Sequence, residues 1–411
     1  MGRCGQRGRA VLIIAFVVLM PLRVAAGEEI ALAELRARAL AESPVVREID
    51  ARLAAELAEA IEARQRLNPE LSGEFRAPVA WTEERGEVEF GAGLIQPLRL
   101  SDGALRREVA AALERAASSE QRLALLQLSV AISREYARLW AATEEEQILR
   151  GEAAVAERQI RVVREAAARG VGSRLELQLL EAEAALAEGQ LLGARGIEAA
   201  LRAQLMEQTG VRLDTQELVR PVLAPLPPLE TLLAAARESS LGAPARLRLA
   251  SEAAASRARL VERDRFGPVA PALLYERSDS DTHRVGLGVT LELPFFDRNE
   301  GARAREEAAA AAARAKLRYV HDGVLEQEIS LRHKAATLAD AQRKLFGERV
   351  IPALERALRL QTDQQAAGQA SAVDSWRIRR DLNSARREAL RRWVEAWEIR
   401  SELSLLVGAE L

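Results

Sequence analysis

One cysteine, Cys4, is all that 411 residues provide. It precedes the N-terminal apolar segment, so the mature chain is expected to form no disulfide and to hold no thiolate metal cluster. Histidine is nearly as scarce. His283, His321 and His333 are the whole set, and none pairs at the four-residue spacing with which one helix face chelates a metal. No phosphate loop and no Ser/His/Asp signature occurs. The sequence therefore points to no enzyme, no metal site and no cofactor. Charge of one sign is missing too: 59 basic and 61 acidic residues leave a net charge of -2, without the basic excess of a nucleic-acid surface. Glu144, Glu145 and Glu146 read as a solvated run. Beyond the N-terminus no apolar stretch reaches the roughly 18–20 residues of a membrane-spanning helix. If the chain enters a membrane, it does so as β-strands.

Aromatics make up 4% against a hydrophobic content of 48%. Most of that content is Ala and Leu. With Arg and Glu intermixed, this is the composition of long helices and coiled-coil packing. The first residues read as a secretory signal peptide over 1–26: Arg3, Arg7 and Arg9, an apolar core over 11–20, and the small residues Val24-Ala25-Ala26. With Cys4 ahead of that core, a lipid anchor is not expected.

The mature chain reads as a tandem repeat, 27–220 and 221–411. In the first unit the patterns predict helices over 31–40 and 44–66, a β-hairpin about 70–98, and a long helical hairpin about 103–210. The second repeats this with a β-hairpin about 268–294 and a helical hairpin about 301–408, its first arm one continuous helix over 302–366. Pro44 and Pro244, Pro69 and Pro268, Pro97 and Pro294, Gly170 and Gly368, and Gly210 and Gly408 all lie about 200 residues apart, which marks a true repeat. An unbroken helix over 103–169 would run about 100 Å.

The strand before Pro294 alternates. Val285, Leu287, Val289, Leu291 and Leu293 fall on one face; Gly286, Gly288, Thr290 and Glu292 fall on the other. Four strands of about nine to eleven residues suit a tilted membrane crossing. Four cannot close a barrel, and an open sheet edge cannot sit in lipid. Two copies would give eight strands and three would give twelve. The patterns leave two plainer readings open: a soluble hairpin packed on the helices, and a coiled-coil rod serving as a periplasmic scaffold or adaptor.

The signal peptide, the repeat, the paired hairpins, the helices of about 65 residues and the turns at 170–173 and 368–371 resemble the outer membrane efflux protein family of the TolC type. The segment Leu293-Pro-Phe-Phe-Asp-Arg-Asn-Glu-Gly301 is similar to its heavy-metal branch, the CzcC-like channels. The resemblance implies a mainly α fold with a small β part. Long helical hairpins would form an α-barrel, and four transmembrane strands per chain would close as a 12-stranded barrel in a homotrimer. It implies a passive duct in the outer membrane of a Gram-negative cell, in contact with outer-membrane lipid. A periplasmic adaptor (membrane fusion) protein and an inner-membrane pump of the RND type would be its partners. Its cargo would be heavy-metal cations, with drugs, organic compounds or secreted proteins as the alternatives on the same fold. Glu176 and Asp374 match the family's entrance carboxylates, with Arg377 where better-known members carry a second acid. Arg379 and Arg380 are further candidates for a salt-bridged gate. Gly170, Ser173, Gly368 and Ser371 match its adaptor-docking tip.

Overall fold

A computed structural model describes residues 29–77, 88–99, 103–170, 174–214, 216–264, 267–278, 282–291, 300–367 and 372–411. The segment 1–26, expected to be a leader, and residues 293–299 of the quoted motif lie outside the described residues.

The first repeat opens with β1 (Glu29–Ile30), α1 (Leu32–Glu42) and α2 (Pro44–Arg64). Ser43 caps α2, its hydroxyl accepting from the Val45 N–H at 3.1 Å, and Pro44 takes the first helical position, where no N–H is needed. β2 (Glu70–Arg76) and β3 (Glu89–Ile95) form the hairpin. Next comes α3 (Gly103–Ala168), 66 residues without a break, which at 1.5 Å per residue is about 100 Å long. Its return arm is α4 (Arg174–Thr209), and β4 (Glu217–Leu218) pairs in parallel with β1.

The second repeat supplies α5 (Leu229–Glu238), α6 (Ala243–Arg263), β5 (Val269–Ser278) and β6 (His283–Leu291). Its long arm departs from the single helix the sequence predicts. It is divided into α7 (Glu300–His321), α8 (Val324–Leu345), a π turn (Phe346–Val350) and α9 (Ile351–Ala366), followed by the return helix α10 (Ala372–Val407). Two residues cause this. Gly323 adopts φ 74, a left-handed conformation that ends α7. Pro352 has no N–H to donate to Glu348 and would crowd that carbonyl. The wide turn before it, with the Ile351 N–H bonded to the Phe346 carbonyl, absorbs the mismatch. α3 has no glycine between Gly103 and Gly151 and no proline, so it stays whole.

Each repeat fastens its own ends. The Ser43 hydroxyl donates to the Gln208 carbonyl at 2.6 Å, and the Ser239 hydroxyl donates to the Gly408 carbonyl at 3.1 Å. Matching cores lie beside these closures. One gathers Leu35, Ala39, Leu128, Ile132, Leu139 and Leu205; the other gathers Leu232, Ala236, Leu325, Ile329, Ala336 and Leu403. Tyr136, fully buried, directs its hydroxyl at the carbonyls of Ile30 and Val219, 2.7 Å from each. That ties α3 to the β1–β4 pair, and burial pushes the phenol up to about 12. Side by side, the long helices run α4, α3, α10, then α8 and α9.

All four hairpin strands join one antiparallel sheet in the order β2-β3-β5-β6. At its base Arg106 of α3 is buried. It donates to the Ala63 carbonyl at 3.2 Å and pairs with Asp264, fastening the end of α2 and the end of α6 to the root of α3. Among the described residues no helix is long and apolar enough to cross a membrane.

Candidate functional site

The sheet has two chemically distinct faces. Its register places residues in rows across the strands. Leu71, Leu94, Leu273 and Leu287 make one complete leucine row. The next row on the same face, toward the hairpin ends, holds Gly73, Ala92, Tyr275 and Val285. The last holds Phe75, Phe90, Arg277 and His283. Away from the hairpin ends, Pro271 and Val289 follow, then Leu98, Val269 and Leu291. This face is open: Leu71 is 82% exposed, Leu287 87% and Phe75 69%. A patch this continuous needs a cover, because soluble monomers rarely leave one bare.

The opposite face carries Glu70, Ser72, Glu74 and Arg76 on β2, and Glu89, Gly91 and Gly93 on β3. It continues with Ile95 on β3, Ala270, Ala272, Leu274 and Glu276 on β5, and Arg284, Gly286, Gly288 and Thr290 on β6. Arg76 sits 2.8 Å from Glu74 and 3.6 Å from Glu89, so its charges are paired within that face. One face is continuously apolar and the other mostly charged or small, with Leu274 and Ile95 as its large apolar residues; a membrane barrel with a wet interior has this bias. Among the described residues β2 and β6 are the edges of the sheet, each paired on one side only. Such edges are a template for further strands and are intolerable in lipid unless paired.

At the far end of the helices lie the tips. Gly170 follows α3 with φ 76. Asp374 stands in the first turn of α10, exposed, where a carboxylate meets the positive helix terminus. Arg377 is 3.9 Å from it, one turn on. Both are largely solvated, and such a pair contributes little to stability. Ser173, Gly368, Ser371 and the side chain of Glu176 lie outside the described residues. The described residues thus join Asp374 to Arg377 only.

Just inside the tip is a cluster that the sequence did not suggest. The Trp376 indole N–H of α10 donates to Glu183 of α4 at 2.5 Å, and Arg380 lies 3.4 Å from the same carboxylate. Of the three gate arginines, Arg380 therefore has a partner on another helix. Nearby, Glu152 of α3 is buried and accepts from the Asn383 side-chain amide at 3.2 Å. Burial pushes the Glu152 carboxyl up, against a smaller opposing effect of the Asn383 bond. These contacts tie the first repeat to the return helix of the second. Trp376 was a legible signal, one of five tryptophans in an aromatic-poor chain.

The run 144–146 also differs from its expected solvation. Glu146 is buried and paired with Arg150 at 2.8 Å and Arg195 at 3.0 Å. Burial works against its charge, but the two arginines outweigh it and hold the carboxyl below its ordinary range. Among the described residues no three His, Cys, Asp or Glu side chains converge as a metal site would require.

No family model matches the chain, and no curated protein matches it in sequence. Solved structures do match it in fold. The outer membrane protein VceC of Vibrio cholerae is 18% identical with a TM-score of 0.70, over 92% of this chain and 96% of that one. The CmeC outer membrane channel of Campylobacter jejuni is 15% identical with a TM-score of 0.70, over 92% and 86%. The open state of the MtrE outer membrane channel of Neisseria gonorrhoeae is 18% identical with a TM-score of 0.67, over 92% and 89%. Helical arms, repeat and sheet together make the fold of an outer membrane channel. At these identities the likeness is one of fold.

Proposed function

We propose that this chain is the outer-membrane duct of a tripartite efflux system, a member of the TolC-type family that carries cargo passively and does no catalysis. The two-faced sheet with both outer edges free, standing on long helical arms of which α3 alone runs about 100 Å, carries this reading. A homotrimer closes the edges: β2 of one chain meets β6 of the next, and twelve strands complete the barrel. The helices favour the same ring. On α4, Leu175, Leu179 and Leu186 are exposed; on α8, Val324, Leu331, Leu338 and Leu345 are exposed at every seventh residue. These are the two outermost helices of the row, so head-to-tail copies cover both seams.

The leader over 1–26 directs export, and the apolar sheet face meets lipid. The tips at Gly170, Ser173, Gly368 and Ser371 meet a periplasmic adaptor coupled to an RND-type inner-membrane pump. Glu176, Asp374 and Arg377 ring the entrance. The Arg380–Glu183 pair inside it supports a salt-bridged gate.

Heavy-metal cations are the cargo we infer, on the strength of the segment 293–301. Deletion of the gene followed by a screen of metal salts and antibiotics tests this. Hypersensitivity to Co, Zn, Cd, Cu or Ni alone supports it, and drug hypersensitivity with unchanged metal tolerance overturns it. Recovery of the mature protein as a soluble periplasmic species would return the chain to the scaffold class. In the reconstituted pore, Asp374→Ala is expected to weaken block by divalent cations; an unchanged block removes Asp374 from the entrance.

A further inference from the structure

A cavity of about 540 Å³ opens between α3, α10 and the segment joining α8 to α9. Its size lies within the range of small-molecule sites. Trp140 and Glu144 line it from α3, Arg343 and Gly347 from α8 and the π turn, and Arg386 and Trp393 from α10. Each of the first two pairs is four residues apart, so each presents one helix face. Arg220, from the chain between the two long helical hairpins, also lines it, with its guanidinium 5.3 Å from the Trp140 ring centre.

The lining is aromatic and cationic. Trp140 and Trp393 are buried and meet edge to face at 4.9 Å between ring centres. Three guanidiniums face one carboxylate, Glu144. Arg386 is balanced by Glu355 at 2.8 Å. Arg343 has only a longer ion pair: its Nε lies 3.8 Å from Oδ1 of Asp340, whose other oxygen is engaged by Arg400. Among the described residues the Arg343 side chain makes no hydrogen bond, its buried Nε facing the equally unbonded Oδ1 of Asp340. With no short ion pair, the terminal nitrogens of this guanidinium remain available to an anion in the cavity. The π turn completes the site. It puts Gly347 on the wall, where an added Cβ would meet open space, and turns of this kind concentrate at functional sites.

We propose that this cavity binds an amphiphilic organic anion: an aromatic body against Trp140 and Trp393, and a carboxylate or sulfonate head on Arg343 with Arg220 closing over it. Planar guanidinium groups suit such a head.

The test is a titration of the full chain in detergent with 2-naphthoate, read by quenching of tryptophan fluorescence. Inorganic phosphate and 2-naphthylmethanol serve as comparison probes. Saturable quenching by naphthoate that disappears in the Trp140→Phe/Trp393→Phe double variant is expected. Arg343→Gln should weaken binding about tenfold, as the loss of a charge-assisted bond implies. Gly347→Leu should abolish it by filling the space. Glu144→Gln should tighten binding several-fold, a gain that misfolding could not imitate. The proposal is overturned by an absence of saturable quenching, by equal affinity for the neutral alcohol, by phosphate binding as tightly as naphthoate, or by affinities unchanged in Arg343→Gln and Gly347→Leu.

Discussion

Leu287→Arg is the substitution that most directly probes the sheet. Leu287 lies midway along β6, four residues from His283 and four from Leu291, in the leucine row of the apolar face. At about 3.3 Å per residue it is about 13 Å along the strand from either end, or about 10 Å in depth once a strand tilt of about 40° is allowed for. That is the middle of an apolar band of about 25 Å. An arginine at such a depth costs about 2–4 kcal/mol, falling to about 0–1 kcal/mol near the interfaces. One chain would lose roughly 30- to 900-fold in its folding equilibrium. A trimer carrying three copies would lose about 6–12 kcal/mol if the sites act independently. Thr290→Arg is the control, three residues away on the charged face, and should cost under about 0.5 kcal/mol. Urea unfolding of the protein in lipid vesicles, followed by tryptophan fluorescence, measures both. Equal midpoints for the two variants, or a greater loss for Thr290→Arg, would falsify the assignment of the faces.

Three further outcomes are expected. Gly408 holds φ 74, and a Cβ there would come within 2.4 Å of the Gly242 nitrogen. Gly408→Ala should therefore lower stability by more than the roughly 1 kcal/mol of conformational strain alone, whereas Gly323→Ala, with open space around it, should show only the strain; paired thermal melts compare them. Tyr136 and Tyr319 are both raised to about 12 from an ordinary 10.0. The native chain therefore keeps these protons after the unfolded chain has lost them. Stability should fall as pH climbs from about 10 to about 12, and Tyr136→Phe should remove part of that slope while lowering stability at pH 7 through the lost hydroxyl bond, which leaves the Val219 carbonyl without its tyrosine donor while the Ile30 carbonyl keeps the Val219 N–H. Glu152 is likewise raised by burial, so wild-type stability should decline as pH rises through and above the usual carboxylate range. Glu152→Gln should flatten that decline and raise the melting temperature at pH 7; a lower one would show that the charged carboxylate is favoured there.

Helix lengths were largely written in the sequence because Gly and Pro punctuate the ends. Ser43-Pro44, Gly170 and Gly210 stop or start helices wherever they fall, and α3 ends one residue from its predicted limit. Gly323 and Pro352 carried the same kind of signal inside the second long arm, where the Ala/Arg/Glu pattern on both sides masked them. The strand faces were legible from alternation in β6. In β2, polar Ser72 and Glu74 surround few apolar residues, and only pairing with β3 reveals that Leu71 and Phe75 continue the leucine and phenylalanine rows. The interior polar cluster was least legible. Glu152, Glu183, Trp376 and Asn383 come from three helices, and no local spacing links residues brought together by supercoiled packing. Glu146 was misjudged in part for the same reason: Arg150 is its i,i+4 neighbour, but its second partner Arg195 sits on a different arm.

The serine and glycine closures have a historical consequence. Each repeat latches its own beginning to its own end, so each is complete as a building block. A half-length ancestor with one hairpin and one pair of arms could have formed the same wall from twice as many subunits. Duplication within one gene would free the halves from identical duty. One kept a straight strut. The other acquired a glycine joint and a proline-driven π turn, and with them an unevenness that six identical subunits could never have expressed.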